Sequence, residues 1–165
     1  MAETLGSLVD KLTIKDIREF HLCQMIEARD PKFSPGELKD KLALLRRQKK
    51  NLKNEIDQLV ALAVKRKACS KDEKLKLYNA LNDMGRIPLT KSLGEAVSGL
   101  AHKNLELWHL EDEARRKDAG LAYIGKIKRK IDLANQQRND YIDRIDELLE
   151  KAIKGTQSIG HRCPE

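Results

Sequence analysis

Two stretches of this chain repeat a position at alternating spacings of three and four. One is Leu42, Leu45, Lys49, Leu52, Ile56, Leu59 and Ala63; the other is Ile131, Ala134, Arg138, Tyr141, Ile145, Leu148 and Ala152. That spacing keeps side chains on one face only in a helix, and a stripe this narrow is the seam one helix presents to another. Each stretch spans six helical turns, too long to be covered by its own neighbouring residues. The chain must therefore bury long helices against each other.

Local signals set the ends of these helices. Thr4 predicts a cap for a helix running to about Arg29, where Asp30-Pro31 stops it, because the residue before a proline avoids helical geometry. Ser34-Pro35-Gly36-Glu37 combines an N-cap, a proline at the first helical position and a capping-box glutamate, and opens a helix to about Lys67. Ser70-Lys71-Asp72-Glu73 opens a short helix over 70–85, with Leu75, Tyr78 and Leu81 on its apolar face. Ser92-Leu93-Gly94-Glu95 caps another, to about Lys117; after Asp118-Ala119-Gly120 the last runs from about Leu121 to Lys154, and residues 155–165 read as a flexible tail.

An internal repeat relates these segments. At an offset of 88, Leu5, Gly6, Val9, Leu12, Lys15, His21, Leu22 and Asp30 match Leu93, Gly94, Val97, Leu100, Lys103, His109, Leu110 and Asp118. At an offset of 89 the second segments match as well, Lys49 falling on Arg138 and Asp57 on Asp146. The expected fold is all-α: an antiparallel bundle of two duplicated long helical hairpins, 4–66 and 92–154, plus the short connecting helix, in one domain over 1–154.

Both seams are interrupted at the same place by a base, Lys49 or Arg138, and the matched positions Asp16 and Asn104 are polar too. Antiparallel pairing puts Lys49 level with Asp16 and suggests a mid-bundle layer of Asp16, Lys49, Asn104, Asn135 and Arg138. Such a layer fixes helix register, or lines a small anion-binding cavity, since arginine offers a planar fork of donors. Trp108, Glu111, Asp112 and Glu113 are expected to face Lys126 to Lys130 across the second hairpin, in ion pairs and a cation–π contact.

Catalytic signals are sparse. Glu106 and His109 have the E-x-x-H spacing of di-iron bundles, but the matching residue in the other copy is Arg18, and that chemistry needs two such motifs. Asp140, Asp143 and Asp146 recur every three residues on one helix, the kind of acid row that binds magnesium in helical nucleotide pyrophosphatases, provided acids from another helix converge on it. No cofactor is called for.

With 36% charged and 4% aromatic residues, the chain favours long helices over a sandwich or barrel. Its net charge of +7 attracts anions in general, yet the basic runs 46–50 and 126–130 lack interleaved aromatics, so nucleic acid is not indicated. No apolar run approaches the roughly 20 residues of a membrane span. Cys23, Cys69 and Cys163 are widely spaced, which fits free thiols in a reducing cytoplasm.

The stretches L-W-H-L-E-D-E-A-R (107–115) and I-D-L-A-N-Q-Q-R-N-D-Y-I-D-R-I-D (131–146) resemble a bacterial family catalogued as domain of unknown function 4254. The resemblance implies an all-helical fold without an established activity, and bacterial occurrence, frequently beside genes for cell-surface polysaccharide assembly. It directs attention to Trp108, Glu111, Asp112, Arg115, Asn135, Gln136, Arg138, Asn139, Asp140, Asp143 and Asp146. Candidate ligand-binding residues are thus Trp108, His109, Glu111, Asp112, Arg115, Asn135, Arg138 and Asn139, with Asp140, Asp143 and Asp146 as candidate metal ligands. The partner would be a protein or a small anion, and a homo-oligomer is compatible with the seams. A helical metal-dependent hydrolase is the rival reading.

Overall fold

A computed structural model describes residues 3–29, 32–69 and 87–159. Among them are four helices: α1 (Leu5–Glu27), α2 (Pro35–Arg66), α3 (Leu93–Ala114) and α4 (Leu121–Ile159). The helix expected over 70–85 and the segment holding His161 and Cys163 lie outside the described residues. No described helix is long and apolar enough to cross a membrane, and Cys23 and Cys69 are thiols.

The three expected N-caps that lie among the described residues form. Thr4, Ser34 and Ser92 each accept a hydrogen bond from the backbone three residues on, and Ser7, Glu37 and Glu95 close the reciprocal half of each capping box. Those bonds satisfy amide donors that the first turn of a helix otherwise leaves open. Helix α1 stops two residues before the expected end, as Arg29 turns left-handed at φ 51°. Helix α2 stops at Arg66 before a left-handed Lys67, whose amide donates to the carbonyls of Ala63 and Val64. Helix α4 runs five residues past Lys154.

Helices α1 and α2 form one antiparallel hairpin, α3 and α4 the other, and α1 also packs on α3 and α4. Neither α2–α3 nor α2–α4 makes a comparable interface. The main core lies where the start of α1 and α3 meets the end of α2 and α4: Leu5, Ala63, Ala96, Leu100, Tyr141, Ile145, Leu149 and Ile153. Toward the far end, a second cluster of Leu107, Ile127, Ile131 and Ala134 draws on α3 and α4 alone. The four helices thus share one core at one end of the bundle.

The α2 seam is buried at Leu45, Leu52 and Ala63. The α4 seam holds from Ile131 to Ile145 and then moves from the expected Leu148 and Ala152 to Leu149 and Ile153. A strict seven-residue repeat drifts about 20° per heptad on a straight helix, whereas residues 18 apart, such as Ile127 and Ile145 or Ile131 and Leu149, return to the same face after five turns. Helix α4 keeps the straight-helix face.

Helix α1 approaches α4 at Gly6, where an added Cβ would meet the backbone carbonyl of Ile142. Its partner in the repeat, Gly94, has open space around it. Alanine normally stabilises a helix relative to glycine by up to about 1 kcal/mol. Gly94→Ala is accordingly expected to be neutral or stabilising, and Gly6→Ala to cost about 1–3 kcal/mol in urea unfolding, because backbone must shift to admit the methyl group.

Candidate functional site

The buried polar groups come from α1 with its cap, α3 and α4, and include Asp10, a carboxylate only 5% exposed. Removing such a charge from water is costly unless partners replace the lost hydration. Arg138 of α4 supplies them, with Nε at 2.8 Å from Oδ1 and a terminal nitrogen at 2.5 Å from Oδ2. Asn104 of α3 donates to Asp10 at 2.9 Å and to Thr13 at 2.7 Å. The hydrogen bond to Asp10 holds the Arg138 guanidinium above its ordinary pKa, despite the opposing effect of burial. Its fork of donors is therefore already filled by a carboxylate of the protein.

One turn before Asp10, the amide of Gly6 donates at 2.8 Å to the buried carboxylate of Asp146 on α4. This amide is one of the donors that a helix start leaves open. Asp57, matched to Asp146 by the repeat, is exposed on α2.

Lys49 forms a separate network. Its ammonium lies 2.5 Å from both Asp16 and Glu19 of α1, and Glu19 also accepts from Arg46 at 2.7 Å. Burial depresses the ammonium, but the bonds to Asp16 and Glu19 outweigh it and leave the group above the usual lysine value. Hydrogen bonds from Lys49 and then Arg46 hold Glu19 below the usual carboxylate value. The expected level pairing of Lys49 with Asp16 is present. The expected single layer is not: Asp10 and Asp16 are six residues apart on α1, about 9 Å at 1.5 Å per residue. Asn135, half-buried, joins neither network.

At the far end of the bundle, where α2 and α3 form no interface, there is a groove of about 420 Å³. Helix α1 contributes Arg18, His21, Leu22 and Met25; α2 contributes Lys41, Leu44, Leu45 and Gln48; Trp108 reaches in from α3. Trp108 lies flat on His21, ring centroids 4.6 Å apart and planes 5° from parallel, and Phe20 meets the same His21 ring edge-on at 5.4 Å. The aromatic-histidine position of α1 thus meets the aromatic residue matched to Phe20 on α3. His21 Nδ1 is 3.1 Å from Gln24 Oε1, while Nε2 is buried and has no partner. Leu44 at the mouth is 46% exposed.

Trp108 does not face Lys126 to Lys130, as expected from the hairpin register. Leu107, Leu110 and Ala114 take the α4-facing positions, and the next residue along a helix points about 100° away. The acids beside it also stay on their own hairpin end: Glu111 and Asp112 face Arg115 at 3.5 and 3.3 Å, and Glu113 accepts from Arg116 at 3.2 Å and Tyr123 at 2.8 Å. The bond from Tyr123, then that from Arg116, lowers the Glu113 carboxyl. His109 and Asn139 are exposed. Among the described residues, no three His, Cys, Asp or Glu side chains gather as a metal cage; Asp140, Asp143 and Asp146 share a helix, and Asp146 is engaged with α1.

Of the candidates read from sequence, Trp108 alone lines the groove. Arg18, His21, Lys41 and Leu44 were missed as site residues. The R-x-x-H spacing of Arg18 and His21 had set aside a metal site, yet it also puts both side chains on one face of α1.

Two outcomes test the polar networks. Arg138→Leu is expected to destabilise the protein by about 3 kcal/mol, since it strands the Asp10 charge, and Asp10→Leu in the same chain to recover most of that loss; chemical denaturation reads both. Glu19→Gln should lower the melting temperature at neutral pH. Because the folded carboxyl is depressed, its contribution is complete above the ordinary glutamate pKa and fades as pH falls through the folded value, so the variant and parent should converge once the pH is below that folded value.

Among curated proteins and among solved structures, nothing matches the chain. A family model described as "Protein of unknown function (DUF4254)" matches residues 1–71 and 94–163. Nearly the whole of both hairpins lies within the match, and the chain belongs to that family.

Proposed function

We propose that the protein is a binding module whose receptor surface is the groove between α1, α2 and Trp108 of α3, and that it serves a partner rather than carrying out a reaction. The observation that carries this reading is the open α2–α3 seam: apolar walls, a stacked Trp108–His21 pair and a buried, unpartnered imidazole nitrogen meet there. Sites for small ligands are concave, mostly apolar and furnished with a few polar groups. The half-buried bases are used elsewhere, Arg138 by Asp10 and Lys49 by Asp16 and Glu19.

Several finer readings belong with it. The two hairpins descend from one, as the matched capping boxes at Thr4 and Ser92 and the helices of 23 and 22 residues behind them support. The setting is a bacterial cytoplasm, in support of cell-surface polysaccharide assembly, which rests on the family resemblance alone.

The test is a thermal-shift panel of metabolites, sugar phosphates and nucleotide sugars, with and without magnesium, on the parent and on Leu44→Lys. Leu44 is exposed enough for the variant to fold. A ligand present at about 100 times its dissociation constant adds roughly 2.7 kcal/mol of stability; it should do so for the parent and not for Leu44→Lys. A magnesium-dependent shift that survives in Leu44→Lys and disappears in Asp140→Asn would overturn this reading in favour of the hydrolase.

A further inference from the structure

We propose that the groove at the α2–α3 seam takes a small amphiphilic anion, an apolar body carrying a single carboxylate, phosphate or sulfonate head; this rests on the binding-module reading and names its ligand. The walls set the body. Leu22, Met25, Leu44, Leu45 and Trp108 make the lining apolar, and its volume of about 420 Å³ falls within the range of small-molecule sites.

The charges set the head. Among the described residues no aspartate or glutamate lines the groove, but Arg18 and Lys41 both do, one from α1 and one from α2. Arg18 is exposed and forms no ion pair among the described residues, and Lys41 stands over the Phe33 ring, 4.7 Å from its centroid, one turn after Glu37, whose carboxylate accepts from the amide of Ser34 and also feels the Lys41 charge. The acid nearest along α1 is Glu19, which Arg46 and Lys49 already occupy. Two cations thus flank an apolar hollow. A head group at the mouth would come within reach of both cations.

Trp108 is the only tryptophan of the chain, so its fluorescence reports the groove directly. The experiment titrates the protein with decanoate, decyl phosphate, decanol and decyltrimethylammonium, all below micelle formation, following Trp108 emission and sedimentation. The same titrations use Arg18→Ala/Lys41→Ala, whose altered side chains are exposed, with the melting temperature as a folding check. Saturable binding of both anions at one site is expected, at least about tenfold tighter than decanol and tighter still than the cation. The double variant should lose that tenfold preference while keeping the decanol affinity; tenfold corresponds to about 1.4 kcal/mol. Equal binding of decanol and the anions would overturn the anion while leaving the binding-module reading in place. Binding by none of the four would overturn the ligand class, and the metabolite panel then decides the module separately. A dimer dissociated by Leu44→Lys would overturn the proposal in favour of a second copy filling the groove.

Discussion

The carboxylate of Asp10 is the charge around which the bundle is assembled. Buried against α4 and α3, it is stable there only because Arg138 meets both its oxygens and Asn104 adds a third donor. Such an arrangement is weak evidence for net stability, since an apolar pair of the same shape can do as well, but a strong constraint on pairing: any other docking of the two hairpins strands a charge. One turn earlier, Gly6 lets the α1 backbone touch α4 and hands its open amide to Asp146. Together these contacts put α1 at the centre, in contact with every other helix.

That choice makes the two hairpin-to-hairpin seams unequal. By the sequence repeat, α1–α4 and α2–α3 are equivalent interfaces, yet the residues that close the first have no working counterparts in the second. Gly94 has open space around it, Asp57 faces solvent, and Ser98 stands where Asp10 would be matched. Lys49, matched to Arg138, turns inward to its own hairpin partners Asp16 and Glu19. The helices converge on a common core around Leu100 and Ile145 and separate toward Trp108. A groove at the far end follows from the clamp at the near one.

What was legible in the sequence was local. The caps at Thr4, Ser34 and Ser92 depend on four consecutive residues and form as expected, and the heptad spacing, a property of a single helix, holds on α4 as far as Ile145. The Lys49–Asp16 pairing was readable because a short turn fixes the register of a hairpin. Asp10 was not, being one of 26 acids with nothing local to mark it; its importance comes from a residue 128 positions away. Trp108 lines the groove and stacks on His21 instead of facing α4, because one helical residue decides which hairpin a side chain faces. The groove itself joins Arg18, Leu44 and Trp108 across three helices, and no spacing rule links them. The move of the α4 seam to Leu149 and Ile153 likewise depends on the straightness of the helix, which a heptad pattern does not reveal.

The inequality of the two seams is open to one direct measurement, native-state hydrogen exchange at the amides of Gly6 and Gly94. Both lie in the first turn of a helix, where amides have no partner within the helix and exchange readily. Gly6, sealed against Asp146 in the closed seam, is expected to exchange only with global unfolding, while Gly94 exchanges near the rate of an exposed amide. Equal, rapid exchange at both positions would contradict it, for α1 would then be no more tightly held to α4 than α3 is to α2.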